Sequence, residues 1–250
     1  MSKTLKILQL YPREMNIYGD NGNMQILKKR AELYGFDVDI TTYNIGDNMQ
    51  NLREADIILG GGGQDSGQTK IASDLQKIAP EIRALAASGI PMLLICGMYQ
   101  LFGESFRTRD GDEIFGVELF DVKTVAGDNR LVGDIIIQTD FGEIFGYENH
   151  SGATILQENQ AAFGEILKGF GNNGNDKSEG ARSFNSFGSY LHGPILSKNP
   201  NFADEIIRLA IERKFDQKTL QARDEDSAVE LKKIDDLAKK AREILRKHSH

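Results

Sequence analysis

The stretch PMLLICGMYQLFG, residues 91–103, decides the fold of this chain. A continuous apolar run leads to Cys96, the only cysteine, and the pattern behind it becomes helical. Such a run is typical of a strand that is buried on both faces of a parallel sheet. Ligands of open α/β sheets bind at the carboxyl edge, and a strand that turns directly into a helix places the turn residue there. We therefore expect Cys96 at that edge.

The sequence before this stretch alternates between strands and helices. Strand-like runs lie at 5–10, 36–41, 56–59 and 91–95. The 3/4 spacing of apolar residues predicts helices at about 23–34 and 71–87. The segment YGDNGN (18–23) precedes the first helix, and its Asp20 or Asn21 is suited to cap it. This alternation predicts an α/β fold whose parallel sheet is covered on both faces.

The second half of the domain has a different pattern. Short segments of alternating polarity predict β-hairpins and an antiparallel edge, and they lie at 114–125, 132–139, 144–149 and 181–191. A polar, glycine-rich segment, KGFGNNGNDKSEG (168–180), is typical of a loop between two of them.

The composition limits the possible functions. The 250 residues carry a formal net charge of −7 and are 40% hydrophobic. An acidic chain without a basic stripe is a poor match for nucleic acids, and no stretch approaches the ~18 apolar residues of a membrane span. A single cysteine leaves no internal disulfide and fits a reducing compartment. We expect a cytoplasmic protein without nucleic-acid binding or membrane insertion.

The chain divides into a domain at 1–215 and a charged tail at 216–250. Charges of both signs crowd 223–247, where one apolar stripe predicts an amphipathic helix. The stripe consists of Leu231, Ile234, Leu237 or Ala238, Ala241 and Leu245. The helix either packs on its own domain or docks a partner, and the sequence leaves both open. His248 and His250 are given no role.

Cys96 has the setting of a nucleophile. A thiol at a helix N-terminus is favoured as thiolate, and the Gly97 N–H can closely approach a reacting group. A thiolate needs a base, for which His150 and His192 are available, and an oxyanion hole, for which the glycines of LGGGGQDSG (59–67) are suited. That segment lacks the Lys-Ser/Thr ending of a phosphate loop. The alternatives are a buried core cysteine and a simple surface turn.

Several segments together resemble a known family. A glycine-rich turn after the third strand, then CGMYQ (96–100), then YLHGP (190–194) resembles class I glutamine amidotransferases of the CobB/CobQ-like group. YGDNGN, GGGQD, DNRLVGDI, YENHSG, GFGNNGND and GSYLHGPIL are similar, in the same order, to the GatD family of glutaminase subunits. The resemblance covers about 5–215 and extends to the charged C-terminal helix. It implies a flavodoxin-like parallel sheet with antiparallel edge strands and an appended helix.

The resemblance also implies catalytic roles. Cys96 is the expected nucleophile and His192 its base, with His150 as the second choice for the base. The backbone N–H groups of Gly97 and of the glycines at 60–63, Gly62 in particular, are expected to form the oxyanion hole. Cys96 would form a thioester with glutamine while ammonia leaves.

Two further residues are implied to bind glutamine. Gln100 is expected to hold the substrate, and Arg130 is expected to grip its carboxylate, since a guanidinium binds a carboxylate in bidentate fashion. An exposed turn arginine is the alternative for Arg130.

The chain departs from the family pattern at two positions. Met98 stands where the family usually has glycine. Pro194 stands where the wider class has the acid of its catalytic triad. We therefore expect the orienting carboxylate to come from elsewhere, for instance from a partner chain. We also expect a weak glutaminase that the partner activates.

The family function is the glutamine-hydrolysing half of lipid II isoglutaminyl synthase, an enzyme of peptidoglycan synthesis. The implied partner is a Mur-ligase-like subunit, MurT, in a heterodimer. ATP and Mg²⁺ are expected on the partner, with no cofactor or metal in this chain. The ammonia would amidate D-glutamate in the lipid II stem peptide. The alternatives are a glutaminase that serves another acceptor, such as a corrinoid, and a non-catalytic module that docks a ligase.

Overall fold

A computed structural model describes residues 3–17 and 19–247. In chain order the strands are β1 (Thr4–Leu10), β2 (Asp37–Tyr43), β3 (Ile57–Gly60), β4 (Met92–Ile95), β5 (Ser105–Arg107), β6 (Glu113–Phe115), β7 (Val122–Thr139), β8 (Gly142–Leu156), β9 (Gly164–Lys168), β10 (Ser178–Glu179), β11 (Ala181–Ser183), β12 (Ser186–Ser189) and β13 (Leu191–His192). The helices are α1 (Asn21–Leu33), α2 (Gln50–Arg53), α3 (Asp65–Ala87), α4 (Gly97–Leu101), α5 (Ile195–Lys198), α6 (Pro200–Phe215) and α7 (Glu225–Lys247). His248 and His250 lie outside the described residues.

The first sheet has the strand order β11-β12-β4-β3-β1-β2. Its strands are parallel except β11, which pairs antiparallel with β12 at the edge. The five parallel strands follow the flavodoxin-like order. Strands β3 and β4 are buried along their whole length, as their apolar sequences predict. The structure confirms the predicted fold class, including the antiparallel edge.

The rest of the second half forms a sheet of its own. This sheet has seven strands built around the long antiparallel hairpin β7–β8. The segments predicted at 114–125 and 132–139 both contribute to a single strand, because β7 continues through a bulge between Ala126 and Leu131. The sequence segment 127–130 looks like a turn because it consists of a glycine and three polar residues, but it is an insertion within that strand.

Strand β13 joins the two sheets. The chain leaves the first sheet at the end of β12 and pairs with β8 of the second sheet through Leu191 and His192. Both sheets therefore meet beside the carboxyl end of β4.

Helix α3 begins at Asp65, six residues before the predicted start at 71. Its first turn contains Ser66 and Gly67 and lacks the apolar periodicity that begins at Ile71, so the sequence pattern starts late. The helix retains Pro80 in its interior. It ends as predicted just before Gly89, whose φ is +88°.

Helix α7 packs on its own domain. Leu231 and Ala238 are buried, whereas Leu237 is 57% exposed, so Ala238 belongs to the packed stripe. The Arg30 guanidinium of α1 is buried and bonds the carboxylate of Asp235 at 2.7 Å. These contacts favour the domain-packing interpretation of the helix.

Candidate active site

Cys96 lies at a sharp turn between β4 and α4. Its φ is +53° and its ψ is −109°, a conformation that costs a non-glycine residue about 1–3 kcal/mol. Its N–H donates to the carbonyl of Ser189 at 2.8 Å, which ties the turn to the neighbouring strand β12. The strand, strained turn and helix together have the geometry of a nucleophile elbow. Because α4 has only five residues, its dipole contributes little to the thiolate.

His192 lies at the end of β13 and faces Cys96. Its imidazole is buried, its Nδ1 donates to Asp20 Oδ1 at 3.1 Å, and it lies close enough to the Cys96 side chain to interact with it electrostatically. Burial alone would lower the pKa of His192. The hydrogen bonds and charges of Asp20 and Cys96 outweigh burial and raise the pKa to about 10. The resting site therefore favours an imidazolium beside the sulfur.

The sequence indicates no catalytic role for Asp20. It occupies the N-cap position of α1, but its side chain forms no cap hydrogen bond. Its Oδ1 instead accepts from His192 and its Oδ2 accepts from the Gly62 N–H at 2.7 Å. This chain thus supplies a carboxylate that is hydrogen-bonded to His192 and lies 172 positions before it.

The segment after His192 brings Asp20 into reach. Pro194 packs on α1 so closely that a Cβ added at Gly22 would overlap its ring. The Leu196 N–H donates to Asn23 Oδ1 at 3.0 Å, which also holds α5 on the start of α1. The signal that could have found Asp20 is its place in YGDNGN, soon after a strand that ends at the same sheet edge as Cys96.

The surroundings of Gly62 do not favour the role of oxyanion donor that we expect for it. Its N–H is committed to Asp20, whereas the neighbouring Gly63 lines the cavity at Cys96. A Cβ placed on Gly97 would lie 3.1 Å from the Gly63 nitrogen, so these two backbones are in close contact. We therefore revise the expected donor pair to Gly63 and Gly97.

A cavity of about 490 Å³ opens beside Cys96. Gln100 and Arg130, both predicted to bind substrate, line it together with His150. The β7 bulge carries Arg130 over the cavity, and its Nε donates to Asn149 Oδ1 at 2.6 Å. The cavity volume and the guanidinium suit a small carboxylate such as an amino acid.

Gln100 is fixed from both sides. Its Oε1 accepts from Gln68 at 2.7 Å and its Nε2 donates to the Tyr190 hydroxyl at 3.1 Å. His150, the second choice for the base, stacks on Tyr190 and shares a hydrogen bond between its Nδ1 and the Gly152 carbonyl. The geometry favours His192 over His150 because His192 has both a carboxylate and the thiol as partners.

Met98, the departure from the family pattern, is fully buried. A Cβ added at Gly60 would overlap its side chain, so a glycine on β3 accommodates the larger residue. The elbow geometry described above is present with methionine at this position.

Among the described residues, no three His, Cys, Asp or Glu side chains are grouped to hold a metal ion. Likewise, no helix in residues 3–17 and 19–247 has the length and apolar character needed to cross a membrane.

Comparison with known proteins identifies the family. Residues 6–200 match the CobB/CobQ-like glutamine amidotransferase domain. The chain is 36% identical to the lipid II isoglutaminyl synthase (glutamine-hydrolyzing) subunit GatD of Staphylococcus aureus, over 92% of this chain and 94% of that protein. It is 39% identical to the subunit of the same name from Streptococcus pneumoniae, over 85% and 83% respectively.

The fold is also found among solved structures. PurLQS from Thermotoga maritima superposes with a TM-score of 0.55 at 18% identity, over 83% of this chain and 98% of that chain. At this identity the superposition shows the fold alone, whereas the family match and the two relatives cover most of the sequence. The chain therefore belongs to the family of CobB/CobQ-like glutamine amidotransferases.

Proposed function

We propose that this chain is the glutamine-hydrolysing subunit of a lipid II isoglutaminyl synthase. Two relatives that match most of the chain carry that name. The observation that carries the catalytic assignment is the buried Asp20–His192 pair beside Cys96, and Cys96 itself lines a cavity together with Arg130.

The geometry supports the following reaction. The Cys96 thiolate attacks the side-chain amide carbon of glutamine, and the Gly63 and Gly97 N–H groups bind the resulting oxyanion. The C–N bond breaks as the His192 imidazolium protonates the departing amide nitrogen, which leaves as ammonia, and a glutamyl thioester remains on the sulfur. The neutral imidazole then takes a proton from water, which attacks the thioester and releases glutamate. Asp20 orients the ring and stabilises its charge throughout.

The remaining elements of the proposal concern the partner. Ammonia is wasted unless it is passed on, so a Mur-ligase-like subunit (MurT) with ATP and Mg²⁺ would activate the D-glutamate α-carboxylate of lipid II. The product would be D-isoglutamine. Partner activation of a weak glutaminase and a cytoplasmic location remain predictions.

The test measures ammonia release from glutamine by this chain alone and with its co-encoded ligase, for the wild type and Cys96→Ala. Mass spectrometry of the lipid II stem peptide follows the acceptor. Release that needs the partner, vanishes in Cys96→Ala and yields amidated lipid II supports the proposal. In that variant, ammonium chloride should still support amidation.

Three outcomes would contradict it. Ammonia release that survives Cys96→Ala excludes this nucleophile. Amidation of a corrinoid rather than lipid II assigns another acceptor. Full glutamine-dependent activity of the complex after Cys96→Ala indicates a docking module.

A further inference from the structure

The chain changes sheets between the two proposed catalytic residues, and one buried carboxylic acid holds that crossing. β12 pairs with β4 up to Ser189, and β13 pairs with β8 from Leu191. Tyr190 between them belongs to neither ladder. Its N–H donates instead to Glu179 Oε1 at 2.6 Å. Glu179 is fully buried, so this bond replaces a missing strand partner in a dry environment.

Ser189 connects the crossing to the nucleophile. Its hydroxyl donates to Glu179, with 3.3 Å to each carboxylate oxygen, and accepts the Leu191 N–H at 3.1 Å. Its carbonyl accepts the Cys96 N–H at 2.8 Å. One side chain thus fixes the residue that anchors the Cys96 backbone and the turn that delivers His192.

The segment that carries Glu179 is itself rigidly held. Asn172 accepts the Gly180 N–H through Oδ1 and donates to the Gly180 carbonyl through Nδ2, both at 3.0 Å. Its Oδ1 also accepts from the Tyr99 hydroxyl at 3.1 Å, and Tyr99 lies on the helix that begins after Cys96. The glycine-rich segment 168–180 is therefore attached to the nucleophile side through Asn172 and to the base side through Glu179.

We propose that Glu179 is a positioning residue that sets the separation and orientation of Cys96 and His192 through residues 189–190. This inference rests on the proposed catalytic pair and adds a residue that touches neither substrate nor the reacting atoms. A fold-stabilising role alone would require only a buried acceptor anywhere in the sheet. The hydrogen bonds of Glu179 instead converge on the peptide units between the two catalytic positions.

The protonation state of Glu179 determines which substitution preserves its hydrogen bonds. Burial raises the pKa of Glu179 to about 8, and the nearby charge of Glu148 adds to the rise, while the bonds from Tyr190 and Ser189 oppose it. At neutral pH the neutral acid predominates. Glu179→Gln is uncharged like that form and keeps an oxygen that can accept from both the Tyr190 N–H and the Ser189 hydroxyl, as Oε1 does in the wild type.

The test is the rate of Cys96 alkylation by iodoacetamide as a function of pH, measured on the full chain. We expect Glu179→Ala to lower the rate at pH 7 about tenfold or more and to shift the profile towards that of an isolated thiol. This is because a displacement of ~1 Å between paired groups costs up to ~100-fold. Glu179→Gln should restore the wild-type profile. In the complex, Glu179→Ala should lower kcat for glutamine while KM stays within about threefold, because Arg130 is not affected.

Asp56→Ala is the matched control. Asp56 is also a buried carboxylate that accepts a backbone N–H, from Lys6 at 2.8 Å, and lies near the start of β3. Its loss should lower the melting temperature without changing the alkylation profile. If Glu179→Ala does not fold, Ser189→Ala decides, since it removes the hydroxyl of the same crossing and should slow alkylation.

An unchanged alkylation profile in folded Glu179→Ala, or in Ser189→Ala where the first does not fold, would overturn the positioning role. A fall in the alkylation rate of Glu179→Gln as large as that of Glu179→Ala would overturn it as well. Fast wild-type alkylation without glutamine hydrolysis in the complex would instead contradict the proposed function and leave this inference standing.

Discussion

Replacing Asp20 with asparagine tests the central contact of the site. The change keeps the size of the side chain but removes the charge that faces His192 and Gly62. The amide group also has only one oxygen for these two donors, so one of the two hydrogen bonds is lost. Asp216→Asn is the matched control, because Asp216 is exposed in a left-handed helix end that asparagine tolerates.

The expected loss of activity follows from the pKa of His192. The pKa of His192 is about 10, against 6.5 for an ordinary imidazole. This difference corresponds to about 5 kcal/mol in favour of the imidazolium. The Asp20 hydrogen bond is the largest of the effects that raise this pKa, so we assign on the order of 2–3 kcal/mol to Asp20. At ~1.4 kcal/mol per tenfold change, kcat should fall by roughly 30- to 150-fold.

The assay is ammonia release from saturating glutamine, with the partner subunit present. KM should change little, because Asp20 is not among the residues that line the cavity. A variant that retains more than a third of the wild-type kcat would refute the assignment. In that case the orienting carboxylate would have to come from the partner chain.

Four further predictions concern the pH dependence of hydrolysis and three other positions in the chain. The His192 imidazolium persists to a pKa of about 10, so in a pH–rate profile the rate of hydrolysis should fall only as the pH approaches about 10. Asp20→Asn should move this fall in rate to lower pH. Arg130→Ala should raise KM for glutamine by about tenfold or more with a smaller effect on kcat, because a charge-assisted contact with a carboxylate is worth ~1.5–3 kcal/mol. A fall in kcat as large as the rise in KM would contradict a binding role. Gly60→Ala should destabilise the chain by about 1–3 kcal/mol in urea unfolding, because its methyl group overlaps Met98. Met98→Ala should relieve this loss of stability. If the losses of the two single variants simply add in the double variant, the contact is contradicted. Arg30→Ala should lower the free energy of unfolding by about 3 kcal/mol, since it leaves two carboxylates without their buried partner and loosens α7. Unchanged proteolysis of α7 would show that other contacts suffice to hold this helix on the domain.

Local pattern determined much of the fold. The apolar runs of β3 and β4 and the 3/4 spacing in α1 and α3 predict the parallel α/β order, because burial on one or both faces imposes a period that short windows reveal. The elbow at Cys96 was also predictable, since a strand that runs directly into a helix leaves one residue at the turn. The extent of β7 was not, because an insertion of a glycine and three polar residues looks like a turn unless its strand partners are known.

The partners within the site were decided by tertiary structure. The sequence proposed Cys96 and His192 through a family resemblance, but it could not show that Asp20 lies 3.1 Å from the histidine. Pro194 packs over Gly22 beside that contact, and no local propensity encodes this long-range packing. The same contact commits the Gly62 N–H and shifts the expected oxyanion donor to Gly63. Sequence periodicity therefore specified the elements and their faces, whereas long-range packing decided which carboxylate, amide and imidazole meet at Cys96.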